Sequence, residues 1–148
     1  MPLNVTIAGR DQLVQALQRG AESTRATLQS AIAKTTAILA KYTTRPTVPW
    51  MTGNLAQTFM PTIGDLWATW VPTASYAAFV EFGTAPHLIV PKNGRALFWP
   101  GLEHPVHRAH HPGTAANPFM ERIVLAAQPD VNALFVQALQ LIVEDMQS

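Results

Sequence analysis

Four histidines, His104, His107, His110 and His111, crowd into one short stretch with Glu103 beside them. Imidazole is the commonest metal ligand near neutral pH, so the cluster raises metal-dependent hydrolase or nuclease chemistry. Spacing tests that idea. In an extended chain side chains alternate faces, which leaves His104 and His110 about 20 Å apart on one face and His107 and His111 about 13 Å apart on the other. Neither pair can ligate one zinc, whose ligand bonds are about 2 Å long. In a helix, opened by Pro105 and closed by Pro112, His104, His107 and His111 would align, but so short a helix is marginal in water. The extended reading is preferred, and no metal or other cofactor is expected. The hydrolase or nuclease built on His104–His111 stands as the alternative.

Other catalytic patterns have little footing. There is no Gly-x-Ser-x-Gly elbow. Ser23, Ser30 and Ser75 fall at helix or cap positions, and Ser148 is the last residue. Glu81 sits inside the run Phe79, Val80, Phe82, where a carboxylate needs a partner. A salt bridge or a capping contact is its expected role. Gly83 and Gly94 are isolated turn glycines rather than a phosphate cradle. Lys92, Arg95 and Arg108 read as solvated turn charges or a small basic patch. Tryptophan is favoured at binding hot spots. Trp50, in a proline-rich linker, and Trp99, beside Pro100-Gly101, are the tryptophans expected at the surface, with Trp67 or Trp70 in the core. No catalytic residue is expected, and the chain reads as a non-enzyme.

Composition narrows the partners. The 148 residues suit one domain. With no cysteine, disulfides, thiolate metal sites and thiol nucleophiles are excluded. Net charge is +1, too small to advertise nucleic-acid binding as the main task. No apolar run reaches the ~20 residues of a membrane span. The basic-then-apolar pattern of a secretory signal is missing, so export by that route is not expected. Charged residues are only 13%, against about 25% in an ordinary soluble domain. A surface so short of charge indicates coverage by partner subunits.

Periodicity places the elements. Leu3, Val5 and Ile7 alternate with polar residues and predict a short strand ended by Gly9. Val14, Leu17, Ala21, Thr24, Leu28, Ala31, Thr35, Ile38 and Tyr42 form one stripe of a long helix over 11–42. Pro46 and Pro49 mark a linker. Asn54 with Gln57 predicts a capped helical turn, Phe59 to Ile63 an extended segment, and Gly64-Asp65 a turn before a strand from Leu66 to Val71. Ser75 is a candidate N-cap for a short helix stopped by Gly83. Leu88-Ile89-Val90 and Ala96-Leu97-Phe98-Trp99 predict a hairpin across the Pro91–Arg95 turn. An extended segment follows over 105–110. Asn117 is expected to cap a last helix with Pro118 at its first position, which Pro129 is expected to interrupt before a restart at Asp130. The fold class is therefore α+β: an antiparallel sheet packed by a long N-terminal and a C-terminal helix, with a protruding β-hairpin.

Four motif groups recur in order: Thr52-Gly53-Asn54-Leu55, Tyr76-Ala77 with Val80-Glu81-Phe82-Gly83-Thr84, His111-Pro112-Gly113-Thr114, and Asn117-Pro118-Phe119. With Val5–Gly9, Pro49, Pro91-Lys92 and Ala96–Trp99, they resemble the minor tail component family of tailed phages. Its members, gene-product-ten-like, are also described as tail-completion or neck proteins. The resemblance runs nearly end to end. It departs in the proline- and histidine-rich stretch from Glu103 to His111 and at Pro129.

The resemblance implies a single non-enzymatic virion domain over 1–148, assembled in the host cytoplasm into a ring in the phage neck. The ring, a hexamer by default and a dodecamer otherwise, would contact head connector or stopper proteins and a tail terminator or tail-tube protein. DNA would pass transiently through its lumen, and near-neutral charge suits DNA that slides past. The expected assembly interface is Trp50, Leu88, Val90, Lys92, Arg95, Trp99 and Arg108. The expected structural positions are Gly53, Asn54, Tyr76, Glu81, Phe82, Gly83, Pro112, Gly113, Pro118 and Phe119.

Overall fold

The computed structural model describes residues 10–147. The strand expected from Leu3 to Ile7 lies outside them. Helix α1 runs Arg10–Tyr42, and helix α4 runs Phe119–Gln147. Between them lie α2 (Asn54–Gln57), β1 (Phe59–Ile63), β2 (Ala68–Pro72), α3 (Ala77–Phe82), β3 (His87–Ile89) and β4 (Ala109–His111). The class is α+β, as the alternation of periods predicts, with two separate two-stranded antiparallel sheets.

The two long helices pack antiparallel. Lys41 and Tyr42 at the end of α1 hold Asp130 near the middle of α4, at 2.8 and 3.0 Å. Further along, the 26–34 stretch of α1 faces Leu134, Ala138 and Leu141, and Leu17 to Arg25 approach Asp145 and Met146. The β1–β2 hairpin lies along α1. Trp70 donates its indole N–H to Thr43 Oγ1 (2.8 Å) at one end. At the other, Asp65 in the turn accepts from Arg25 and Gln29.

Pro61 sits inside β1 opposite Trp70, which a two-stranded sheet tolerates because proline needs no donor on an open edge. The second strand starts at Ala68, later than the Leu66 expected, because Gly64 N–H closes the turn onto Trp67 O at 2.8 Å. Trp67 is thereby left exposed in the turn, and Trp70 is the tryptophan that packs inward.

The core gathers where these elements meet. Val48, Leu55, Phe59, Ala77, Phe119 and Ile123 are buried together, with Leu39, Tyr42, Trp70 and Val80 packed around them. Phe59 stacks on Trp70 at 5.7 Å and meets Phe119 edge-on at 6.1 Å. Aromatic pairs of this kind add stabilisation beyond their buried area. Arg122 pins the proline-rich linker to α4 by donating from Nε to Thr47 O at 2.9 Å.

Several local expectations are corrected. Pro129 does not interrupt α4, which is continuous through it. Proline there removes one hydrogen bond to Leu125 O, and both residues lie on the exposed side, where water can serve the carbonyl. Asn54 is the first helical residue rather than a cap. Gly53 precedes it with φ 82° and no side chain caps the turn. Ser75 caps nothing either, because α3 starts after Tyr76 with a backbone bond from Ala77 N–H to Ala74 O.

The predicted hairpin is built from other partners. His87, Leu88 and Ile89 pair with His111, His110 and Ala109, not with 96–99. The root pair Thr84↔Thr114 sets this register, and Pro91, lacking an N–H, cannot extend the ladder. Leu97 instead forms an isolated bridge to Val106. Residues 90–108 are thus a long excursion closed by a short ribbon.

Phe119→Ala should cost about 3–5 kcal/mol, as a large buried aromatic leaves a cavity, whereas Leu139→Ala on the exposed side should stay within about 0.5 kcal/mol. Urea unfolding of the two variants checks the difference. The Lys41–Asp130 latch adds a pH dependence. The hydrogen bonds from Lys41 and Tyr42 hold the Asp130 carboxyl below its ordinary 3.8, and the hydrogen bond to Asp130 raises Lys41 above 10.5. The carboxyl's contribution is full above 3.8 and fades as pH falls through the lower folded value; the lysine's is full below 10.5 and fades as pH rises through the higher one. Both groups are well exposed, so Asp130→Asn should lower Tm slightly at pH 7, and the difference should shrink as pH falls below 3.8.

Candidate assembly site

Part of the motif set, Val80, Glu81, Asn117, Pro118 and Phe119, meets at the first turn of α4. Phe119 is 1% exposed and plugs the core. The Glu81 carboxylate, half-buried at the end of α3, accepts from Met120 N–H at 3.0 Å. It caps α4 from a distant part of the chain and takes the role expected of Asn117. A carboxylate suits that place, since the orphan N–H groups and positive dipole end of a helix favour an anion. Asn117 instead donates its N–H to Val80 O (3.0 Å) and accepts from Arg122 at Oδ1 (2.5 Å). Pro118 precedes the helix, and its carbonyl accepts from Arg122 N–H at 3.4 Å.

Gly83 and Gly113 lock the two strands of the ribbon at its root. Their φ angles are 74° and 88°, and with ψ −174° Gly83 sits in a conformation essentially confined to glycine. Space is closed as well. A Cβ on Gly83 would overlap the Thr114 carbonyl, and one on Gly113 would overlap the Thr84 carbonyl. Those carbonyls are the acceptors of the root bonds, Thr84 N–H to Thr114 O (2.9 Å) and Thr114 N–H to Thr84 O (3.1 Å). Pro112 lies at the surface beside this lock. Gly53 is buried beneath the Trp50 ring, and Tyr76 with Trp50 lines an open groove of about 450 Å³.

The residues expected at an interface are at the surface but in two places. Trp50 lies at the groove. Leu88, Val90, Lys92, Arg95, Trp99 and Arg108 lie on the ribbon and its excursion, and all are exposed. Phe79 and Phe82 point outward, at 61% and 79% exposure, while Ala77 is buried and Val80 packs against the core. The aromatic face expected of α3 is therefore split between core and solvent.

The histidines do not gather. His110 and His111 are consecutive in β4 and so project to opposite faces. Among the described residues no group of three or more His, Asp or Glu is placed to hold a metal ion. His111 instead stacks on His87 at 4.9 Å, a histidine outside the sequence cluster that spacing alone had no means to connect. Gly113 N–H donates to His111 Nδ1 (3.1 Å), and His87 Nδ1 donates to Ala85 O (2.9 Å). The rings serve the ribbon's geometry.

Apolar surface is abundant. Phe79, Phe82, Phe98, Leu139 and Leu141 are each more than half exposed. Sequence reasoning anticipated covered surface from the charge deficit but missed the outer side of α4. Leu125, Val136, Leu139, Val143 and Met146 there are all at least half exposed. Their spacing of three, four and eleven was a legible second stripe.

Compared with family models, curated proteins and solved structures, the chain matches none. Its own geometry is what bears on function.

Gly83→Ala and Gly113→Ala should each destabilise by more than Gly94→Ala. Gly94 shares the positive φ (67°) but has open space around it. About 1–2 kcal/mol is expected for Gly94, with the steric overlap added for the other two; thermal unfolding of the three variants tests the order. Glu81→Ala should cost about 0.5–2 kcal/mol through the lost cap.

Proposed function

We propose that this chain is a structural virion protein of a tailed bacteriophage, a ring component of the neck that joins or completes the tail at the head–tail interface. The observation that carries the reading is the convergence of the family-like motifs. Val80 and Glu81 hold Asn117 and Met120 at the base of α4, and Thr84 holds Thr114 beside them, so motif segments far apart in sequence are joined by direct hydrogen bonds. The large uncovered apolar surface supports assembly as the working state.

The working partners are copies of the same chain, six by tail symmetry or twelve, with a head connector or stopper protein on one side and a tail terminator or tail-tube protein on the other. DNA passes through the lumen, and a net charge of +1 leaves little to bind phosphates tightly. No helix among the described residues is long and apolar enough to cross a membrane. The alternative, a hydrolase or nuclease built on His104–His111, would have to draw His111 away from its contacts with His87 and Gly113.

Mass spectrometry of purified phage particles, with cryo-EM placement, tests the proposal. The chain should occur in a ring at the neck, and disruption of its gene should leave heads and tails unjoined or leaking DNA. Its absence from particles would overturn the reading, as would stoichiometric metal together with hydrolysis by the purified protein. Deleting Asn93 to Arg95 from the excursion should lower oligomer yield and leave the monomer's circular dichroism unchanged.

A further inference from the structure

Asn93 and Gly94 stand side by side on the excursion, outside every helix and strand, and both are exposed. An asparagine can be attacked by its own chain. The backbone nitrogen of the next residue reaches the side-chain carbonyl carbon and closes a five-membered imide. A side chain on that next residue crowds the approach, and a nitrogen already hydrogen-bonded within the fold is held away from it. Gly94 presents neither obstacle. Nothing lies within 4 Å of the place its Cβ would occupy. Among the described residues neither Asn93 nor Gly94 has a hydrogen-bond partner. Glycine also leaves the backbone free to rotate into the reactive geometry.

The other asparagines are each blocked. Asn117 precedes Pro118, whose nitrogen carries no hydrogen to give up, and its Oδ1 accepts from Arg122. Asn132 lies inside α4, where the following N–H is committed to the helix ladder. Asn54 opens α2 and precedes the buried Leu55. Asn4 precedes the branched Val5.

We infer that Asn93 is a self-modification site, converted by deamidation into aspartate and isoaspartate in the folded protein. Hydroxide takes the Gly94 amide proton. The nitrogen bonds to Asn93 Cγ, the Cγ–Nδ2 bond breaks, and Nδ2 leaves as ammonia. Water then opens the imide. Addition at Cγ restores the normal backbone as aspartate; addition at the backbone carbonyl leaves the chain running through the side chain as isoaspartate. One water is consumed, one ammonia is released, and nothing is oxidised or reduced. The new carboxylate stands between Lys92 and Arg95, so the two positive charges of the turn fall to a net one. The whole chain falls from +1 to zero, where proteins associate and precipitate more readily. A chain with so few ionic groups is unusually sensitive to a single such event. The extra backbone methylene of isoaspartate lies beyond the Thr84–Thr114 root and leaves the body's contacts untouched. The site is independent of the neck reading.

Ageing the purified full-length protein in warm, mildly alkaline buffer tests it. Isoelectric focusing should show a new form one charge unit more acidic, and peptide mass mapping should place the change at residue 93. The product should be a mixture, with the isoaspartate fraction accepting a methyl group from a protein isoaspartyl methyltransferase. Asn93→Asp marks where the aspartate product focuses. Circular dichroism should stay constant as the acidic form accumulates. Gly94→Ala should slow its appearance sharply, and Asn93→Gln should abolish it. Asn93→Gln keeps both the amide and Gly94, so its result is free of the backbone strain that Gly94→Ala introduces. The aged chain in urea is the reference, and the folded protein should lose the Asn93 amide at a similar rate. An amide at residue 93 that survives in the folded protein while the unfolded chain loses it overturns the inference. So does modification that maps first to Asn54, Asn117 or Asn132, or an acidic form that accumulates unchanged in Asn93→Gln.

Discussion

The first turn of α4 is where the chain is held together. Phe119 occupies the centre of the core, the Glu81 carboxylate satisfies the Met120 N–H, and Arg122 reaches back to the linker at Thr47. Helix ends leave donors unpaired, and a buried end without acceptors is costly. Here the acceptor comes from α3, so the helix can start in the interior only when α3 is in place. The ribbon root at Thr84 and Thr114 fixes the approach of both. Three segments distant in sequence are mutually dependent through one capped turn.

This arrangement decides what faces outward. With Ala77 and Val80 turned to the core, Phe79 and Phe82 must face solvent. With Ile123 and Ala127 packed inward, Leu125 and the residues one helical face away from the core must be uncovered. Hydrophobic content is ordinary at 48%, so the exposed apolar area arises from shape. Two long helices with a thin hairpin beside them enclose too little volume to bury their own apolar surface.

Much of the fold was legible, and the failures share a cause. The three–four stripe located α1 to within a residue, and Gly64-Asp65 located the turn of the first hairpin, because those signals are local. Gly83 was legible as a helix stop for the same reason. The pairing of β3 was misassigned because the nearest extended run, Ala96–Trp99, competes with Ala109–His111, and only the tertiary lock at Thr84 and Thr114 discriminates. Asn117 had the composition of a cap, yet Glu81 reached the helix first through a contact invisible to short-range patterns. Pro129 was read as a break because proline forfeits a bond; packing on one side and solvent on the other made that loss tolerable. The stacked His87–His111 pair was hidden by the distance between the two residues in sequence.

The narrow root of the ribbon also makes the excursion beyond it an appendage in the topological sense. Thr84 and Thr114 return the chain to the same spot whatever lies between them, so the length of the segment between the two ladders is decoupled from the folding of the body. Gly94 and Gly101, with open space around both, are natural splice points. Evolution, or an engineer grafting an epitope, can lengthen this arm without renegotiating a single contact of the interior.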